Sequence, residues 1–334
     1  MGALCDGDAP AALDCPPMRL PLLLPLLTAA SAACSSSSAS PGAAPDAGPF
    51  PEAGILGGYD PTPFGRSRSV QLYVPSHYSP SSPAPLVILL HGYSASGAEE
   101  DLYLDGHAAA EATTALYMHP DGTVDPTGNR FWNATNACCD FYGSPVDDVT
   151  YLASLVSEVE ARYSVDKKRV FFFGHSNGAF MAYRMACDQA GTVAAIASLA
   201  GATWLDTSMC KPSQPVSVLE VHGTADTEIF YDGGTTMPSP TPDGGAGTGG
   251  QYPGATTTIA DWVAYDGCSS TANTSPPAPD IAAGMSTTLT QYATGCKGGS
   301  EVDLWTIQGG MHIPGFNPTF APDVFAFLIA HPKP

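Results

Sequence analysis

The stretch that decides the fold is VFFFGHSNGAFMAYRMACD, Val170 to Asp188. An unbroken apolar run, Val170 to Phe173, enters Gly174-His175-Ser176-Asn177-Gly178 and leaves it with apolar residues at helical spacing. A strand without polar alternation is the kind buried on both faces of a parallel sheet. Ser and Gly also fill ordinary turns, so G-x-S-x-G by itself decides nothing. The flanking sequence has to decide it.

Outward from that stretch, strand-like and helix-like segments alternate. SVQLYV (Ser69 to Val74) and PLVILLH (Pro85 to His91) read as strands, Ala98 to Ala112 as a helix, and ALYMHP (Ala115 to Pro120) as a short strand. VDDVTYLASLVSEVEARY (Val146 to Tyr163) repeats its apolar residues at helical spacing, with Asp147 or Asp148 as the cap. VAAIASLA (Val193 to Ala200) and VSVLEVHG (Val216 to Gly223) are strands. The helix TIADWVAYDGC, the strand VDLWTI and the helix APDVFAFLIAH complete the run. Short apolar strands alternating with longer helices predict an α/β fold, a mostly parallel central sheet flanked by helices on both faces.

In that setting the opening turn becomes a strand, G-x-S-x-G, helix sequence, the nucleophile elbow of α/β-hydrolases. The two glycines let strand and helix approach closely, and Ser176 stands above the carboxyl edge of the sheet. A serine hydroxyl needs a base to take its proton, and the base needs an acid to orient it. Asp226 follows the strand in LEVHGTADTEIF, and His312 follows the last strand in IQGGMHIPGF. Both sit at carboxyl ends of strands, where open α/β sheets bind ligands. Their order, Ser then Asp then His, is the order of this fold. The catalytic candidates are therefore Ser176, Asp226 and His312. The oxyanion hole needs backbone N–H groups, expected from Asn177 and from Tyr93 in the loop after VILLHGYSASG. His91 and His222 read as structural, and no metal or other cofactor is expected. Trp132 is a candidate for a substrate-pocket wall or for the core, and His175 for a substrate contact or a cap on the sheet edge.

The elbow GHSNGAFMAYRMAC, together with FWNATNACCDFYGSPVDDVTYL, LEVHGTAD and GGMHIPGF, resembles the secreted esterases grouped as polyhydroxybutyrate depolymerases and feruloyl esterases. The likeness runs from about Gly57 to the C-terminus and implies cofactor-free hydrolysis of carboxylic esters, with Ser176 as nucleophile, Asp226 as acid and His312 as base. That family tends to follow the histidine with Thr-Trp-Pro-Gly, whereas here Met311 precedes His312 and Ile313-Pro314-Gly315 follows it. The missing aromatic bears on substrate preference. The implied substrates are feruloylated or acetylated plant polysaccharide fragments, or polyhydroxyalkanoate and other polyester chains.

Composition narrows the partners. Lys and Arg total 12 against 32 Asp and Glu, a formal net charge of −20. Nucleic acid and anionic membranes are bound by clustered Lys and Arg, so neither is expected as a partner. MRLPLLLPLLTAASAAC, from Met18, has the positive start, apolar middle and small residues of a secretory leader, and it is too short to span a bilayer. The expected organisation is a leader over 1–34 starting at Met18, a Ser/Ala/Pro/Gly linker over 35–56, and one catalytic domain over 57–334. Residues 232–254 form a Gly/Pro-rich insertion, either a functional flap or a disordered loop. Cleavage leaves two destinations open, release from the cell or lipid anchoring through Cys34. A monomer is expected.

Six cysteines lie beyond the leader: Cys138, Cys139, Cys187, Cys210, Cys268 and Cys296. An even number in an exported chain suggests disulfides. The pairing expected is Cys187 with Cys210 and Cys268 with Cys296, leaving Cys138 and Cys139 bonded to each other or free. Two other readings are open at this stage. The same triad cleaves amides, which would make a peptidase, and an idle relative would be a surface binding protein.

Overall fold

The computed structural model describes residues 55–66, 68–237 and 247–334. The expected leader, most of the linker and Cys34 lie outside the described residues, as does the middle of the 232–254 insertion.

The chain enters through two short antiparallel strands, β1 (Gly58–Tyr59) and β2 (Tyr73–Val74). The buried strand β3 (Ala84–Leu90) follows. The single helix expected over 98–112 is two, α1 (Gly97–Leu104) and α2 (Gly106–Thr113). Asp105 separates them with a left-handed backbone at φ 53°, a conformation that single residues adopt and right-handed helices do not continue through. Ser96 and Glu99 form a capping box that fixes where α1 starts. Next come β4 (Leu116–Met118) and a small hairpin, β5 (Thr123–Val124) with β6 (Arg130–Phe131). Helix α3 (Asp148–Arg162) begins at Asp147, whose carboxylate accepts from the Thr150 N–H at 3.0 Å.

The decisive stretch is the end of β7 (Val165–His175) and all of α4 (Asn177–Asp188). Val170 and Phe172 pack on one side of the sheet, Phe171 and Phe173 on the other, all fully buried. β8 (Ala195–Leu199) and β9 (Ser217–Gly223) continue the sheet. The hairpin β10 (Gly233–Thr235) and β11 (Gln251–Pro253) is built from the described ends of the 232–254 insertion. Helix α5 (Ala255–Asp266), strands β12 (Thr287–Tyr292) and β13 (Val302–Ile307), and helix α6 (Phe320–Ala330) complete the fold.

The nine-stranded sheet has the order β1-β2-β4-β3-β7-β8-β9-β13-β12. Its six inner members, β4 to β13, run parallel. Helices α3, α4 and α5 bury their apolar stripes on one face, and α2 and α6 on the other. The expected doubly covered α/β sheet is what the chain forms. β12 was not foreseen. It pairs antiparallel with β13 at the sheet's edge, and its outer side is partly met by Asn273, which exchanges backbone hydrogen bonds with Gln291. Disulfides join Cys138 to Cys139, Cys187 to Cys210 and Cys268 to Cys296.

Candidate active site

The turn between β7 and α4 is tight on both sides. A Cβ on Gly174 would lie 2.2 Å from the Gly178 carbonyl oxygen, and one on Gly178 would lie 2.0 Å from the Leu90 oxygen. Only glycine fits at either position. Ser176, between them, has φ 53° and ψ −119°, a backbone region that residues with side chains rarely occupy. It is half-buried, and its N–H donates to Leu199 O at 2.8 Å, which ties the turn to the end of the next strand.

Asp226 and His312 come from neighbouring loops, because β9 and β13 are adjacent and parallel. His312 Nδ1–H donates to Asp226 Oδ2 at 2.8 Å, and both residues are buried. Asp226 Oδ1 accepts from the Glu228 and Ile229 N–H groups at 2.9 Å each. Burial alone would raise this carboxyl, but the nearby His222 ring and the hydrogen bond from His312 hold it well below the usual carboxylate range. The other ring nitrogen of His312, Nε2, has the Glu228 carboxylate 3.8 Å away. Among the described residues, no hydrogen bond links Ser176 Oγ to His312.

The loop after β3 approaches the same turn. Gly92 N–H donates to Glu100 at 3.0 Å and Ser94 N–H to Arg130 O at 2.8 Å, while the Tyr93 N–H between them has no partner among the described residues. The Tyr93 hydroxyl donates to Asp125, and its ring meets Phe141 edge-on at 5.3 Å. Asn177 opens α4, so its N–H belongs to the unpaired first turn of a helix. Its side chain does something no motif announced. It accepts from Trp132 N–H at 2.7 Å and donates to Trp132 O at 3.0 Å, pinning a distant loop to the turn.

Both residues that the sequence left open between a substrate contact and a structural role are enclosed by protein. Trp132 is fully buried and donates its indole N–H to His91 O at 3.1 Å, which makes it a core residue supporting the loop after β3. His175 is also buried: its Nε2–H donates to His312 O at 3.1 Å, and Nδ1 lies 3.1 Å from Glu100 Oε1, off the axis of a straight hydrogen bond. It faces the His312 loop and α1, not solvent. His91 is structural, as expected. Its Nδ1–H donates to Gly92 O and its Nε2 accepts from Gly122 N–H, so it is neutral, and burial lowers its proton affinity further.

Exposed apolar side chains lie beside His312, next to the Glu228 carboxylate. Met311 is 60% and Ile313 62% exposed, on either side of His312, and Phe230 is 46% exposed a short way past Asp226. A cavity of about 830 Å³ lined by Tyr59, His119, Asp121 and Arg130 includes neither Ser176 nor His312.

Known proteins resemble this chain in both sequence and fold. The family model described as "Putative esterase" matches residues 62–281, a span that contains Ser176 and Asp226. Feruloyl esterase B of Piromyces equi is 29% identical over 198 residues, covering 58% of this chain and 33% of the relative. Feruloyl esterase C of Emericella nidulans is 30% identical over 115 residues, covering 34% of this chain and 38% of the relative. The chain thus spans little more than a third of the length of these two curated relatives. The solved acetyl xylan esterase from Aspergillus awamori superposes with a TM-score of 0.53 at 15% identity, covering 78% of this chain and 93% of its own. That likeness is one of fold.

Proposed function

This chain belongs to the esterase family and has the α/β-hydrolase fold, and from that premise we propose an exported serine carboxylic ester hydrolase. Ser176 Oγ attacks the ester carbonyl carbon while His312 Nε2 takes its proton. The N–H groups of Tyr93 and Asn177 receive the charge that develops on the carbonyl oxygen. Collapse breaks the bond to the alcohol, which leaves with the proton from His312, and water repeats the sequence on the acyl-enzyme. Asp226 holds His312 in the tautomer whose Nε2 is free. The observation that carries this reading is the convergence of the strained Ser176 turn with the 2.8 Å His312–Asp226 pair at one sheet edge.

The substrates proposed are feruloyl or acetyl esters of plant polysaccharide fragments, on the strength of the named relatives. Exposed Met311, Ile313 and Phe230 favour a second reading, in which the ester is apolar, as in polyester oligomers. A single catalytic domain from residue 57 and export directed by residues 18–34 belong to the same proposal, supported by the three disulfides.

Ser176→Ala should abolish hydrolysis of p-nitrophenyl acetate with the circular-dichroism spectrum unchanged. Retained turnover would sink the mechanism. Rates on methyl ferulate, acetylated xylan and polyhydroxybutyrate film, compared in one preparation, decide the substrate.

A further inference from the structure

Behind Asp226 lies a second carboxylate–histidine pair that the reaction as written does not use. Glu220 and His222 are on β9, both fully buried, with their side chains two residues apart and on one face. His222 Nδ1 is 2.9 Å from Glu220 Oε1, and His222 Nε2 is 2.8 Å from the Ile229 carbonyl oxygen. A carbonyl oxygen only accepts, so Nε2 must carry a proton. Glu220 already accepts from the Tyr183 hydroxyl at 2.8 Å and the Gly201 N–H at 3.3 Å, the bonding of an ionised carboxylate. Its third partner, Nδ1, is then a donor too. With hydrogens on both ring nitrogens, His222 is an imidazolium.

Its position gives that charge a use. His222 Nε2 is 3.5 Å from Asp226 Oδ2, the same oxygen that receives the His312 proton at 2.8 Å. We propose that His222 is a positioning residue, a buried cation anchored by Glu220, which keeps Asp226 ionised and aimed at His312 while His312 itself is neutral. The proposal rests on the reading of Asp226 and His312 as acid and base. Burial alone would strip His222 of its proton, but the neighbouring Asp226 and Glu220 carboxylates push it up to about 9. The other groups facing this cluster are few. Tyr231 meets the His222 ring edge-on at 5.6 Å, Glu228 lies 3.8 Å from His312 Nε2, and the His175 ring is 5.0 Å from that of His312 with Glu100 behind it. Tyr252, whose hydroxyl accepts from Phe230 N–H, approaches from β11. Of these, only His175, paired with Glu100, also acts electrostatically on Asp226, and it does not come within ion-pair distance of the carboxylate as His222 does. A buried carboxylate without a nearby cation tends to hold its proton.

Two measurements test this. In ¹⁵N-histidine-labelled Ser176→Ala protein, the His222 ring should show two N–H signals that stay fixed from pH 5 to pH 8. A single ring proton, or a titration within that range, overturns the proposal whatever the enzyme hydrolyses. In active protein, Glu220→Gln/His222→Gln removes both charges but keeps groups able to bond Tyr183 and Ile229. Losing the cation leaves the Asp226–His312 pair without its neighbouring positive charge, so the acidic limb of kcat/KM should move up by about 0.5–1 pH unit. A uniform drop in rate with the limb unmoved would mark a structural role only and overturn the proposal. If the double variant does not fold, the labelled protein decides alone. Failure of the serine mechanism is seen separately, as turnover by Ser176→Ala.

Discussion

Ser176 holds a backbone conformation that suits glycine and costs a residue with a side chain about 1–3 kcal/mol. The cost is met by the elements that fix the turn, and it lifts Oγ clear of the sheet. Ser176→Gly should therefore unfold at a higher temperature than Ser176→Ala, by about 1 kcal/mol of stability, with both variants inactive. Equal melting curves would contradict stored strain at this residue. The glycines and the serine were legible in sequence because their spacing expresses one local turn. The Asn177 side chain was not. Its two bonds to Trp132 cross 45 positions of the chain, and nothing in GHSNG distinguishes a side chain that pins a loop from one that meets solvent. Trp132 and His175 were left open between two roles for the same reason, since polar and aromatic residues near a G-x-S-x-G turn can equally face substrate or the core, and burial is decided by distant partners.

At the scale of elements, α1 is tied to the site by Glu100, whose carboxylate holds the Gly92 N–H of the loop after β3 and faces His175 at the end of β7. His175 in turn donates to the carbonyl of His312. One buried ion pair thus fixes three loops. Burial would raise Glu100 and lower His175, and their pairing reverses both. Glu100, held below its ordinary 4.5, contributes stability above that pH that is lost as the pH falls through its folded value. His175, held above 6.5, contributes stability below that pH that is lost as the pH rises through its folded value. The pair is complete between the two. Glu100→Gln should cost about 2–4 kcal/mol near pH 5.5 and progressively less in acid, read from urea unfolding at several pH values. A pH-independent loss would argue against the pair. Sequence periodicity found the parallel strands and long helices because their buried faces repeat. It missed β12, whose TTLTQY alternates too little apolar residue to read as a strand, and it merged α1 with α2 because Asp105 breaks the backbone without breaking the pattern.

For the molecule as a whole, six parallel strands bring the loops bearing Tyr93, Ser176, Asp226 and His312 to one edge, and strand order alone accounts for a site drawn from residues up to 219 positions apart. The order Ser, Asp, His was readable because chain direction and strand ends are local facts; the buried partners Glu100 and Glu220 were not, since a glutamate in a helix or strand ordinarily reads as surface. The Cys268–Cys296 bond, whose cysteines are 28 positions apart, is expected to contribute about 3.5 kcal/mol. It also ties down the segment that covers the free side of β12. An uncovered strand is a template for the next molecule. The Cys268→Ser/Cys296→Ser variant should therefore scatter light and lose soluble material at concentrations where the parent stays clear, and equal clarity would deny the disulfide this duty. The bond far from the chemistry would then govern how concentrated the enzyme can be kept, a colloidal property that no assay of turnover in dilute solution would detect.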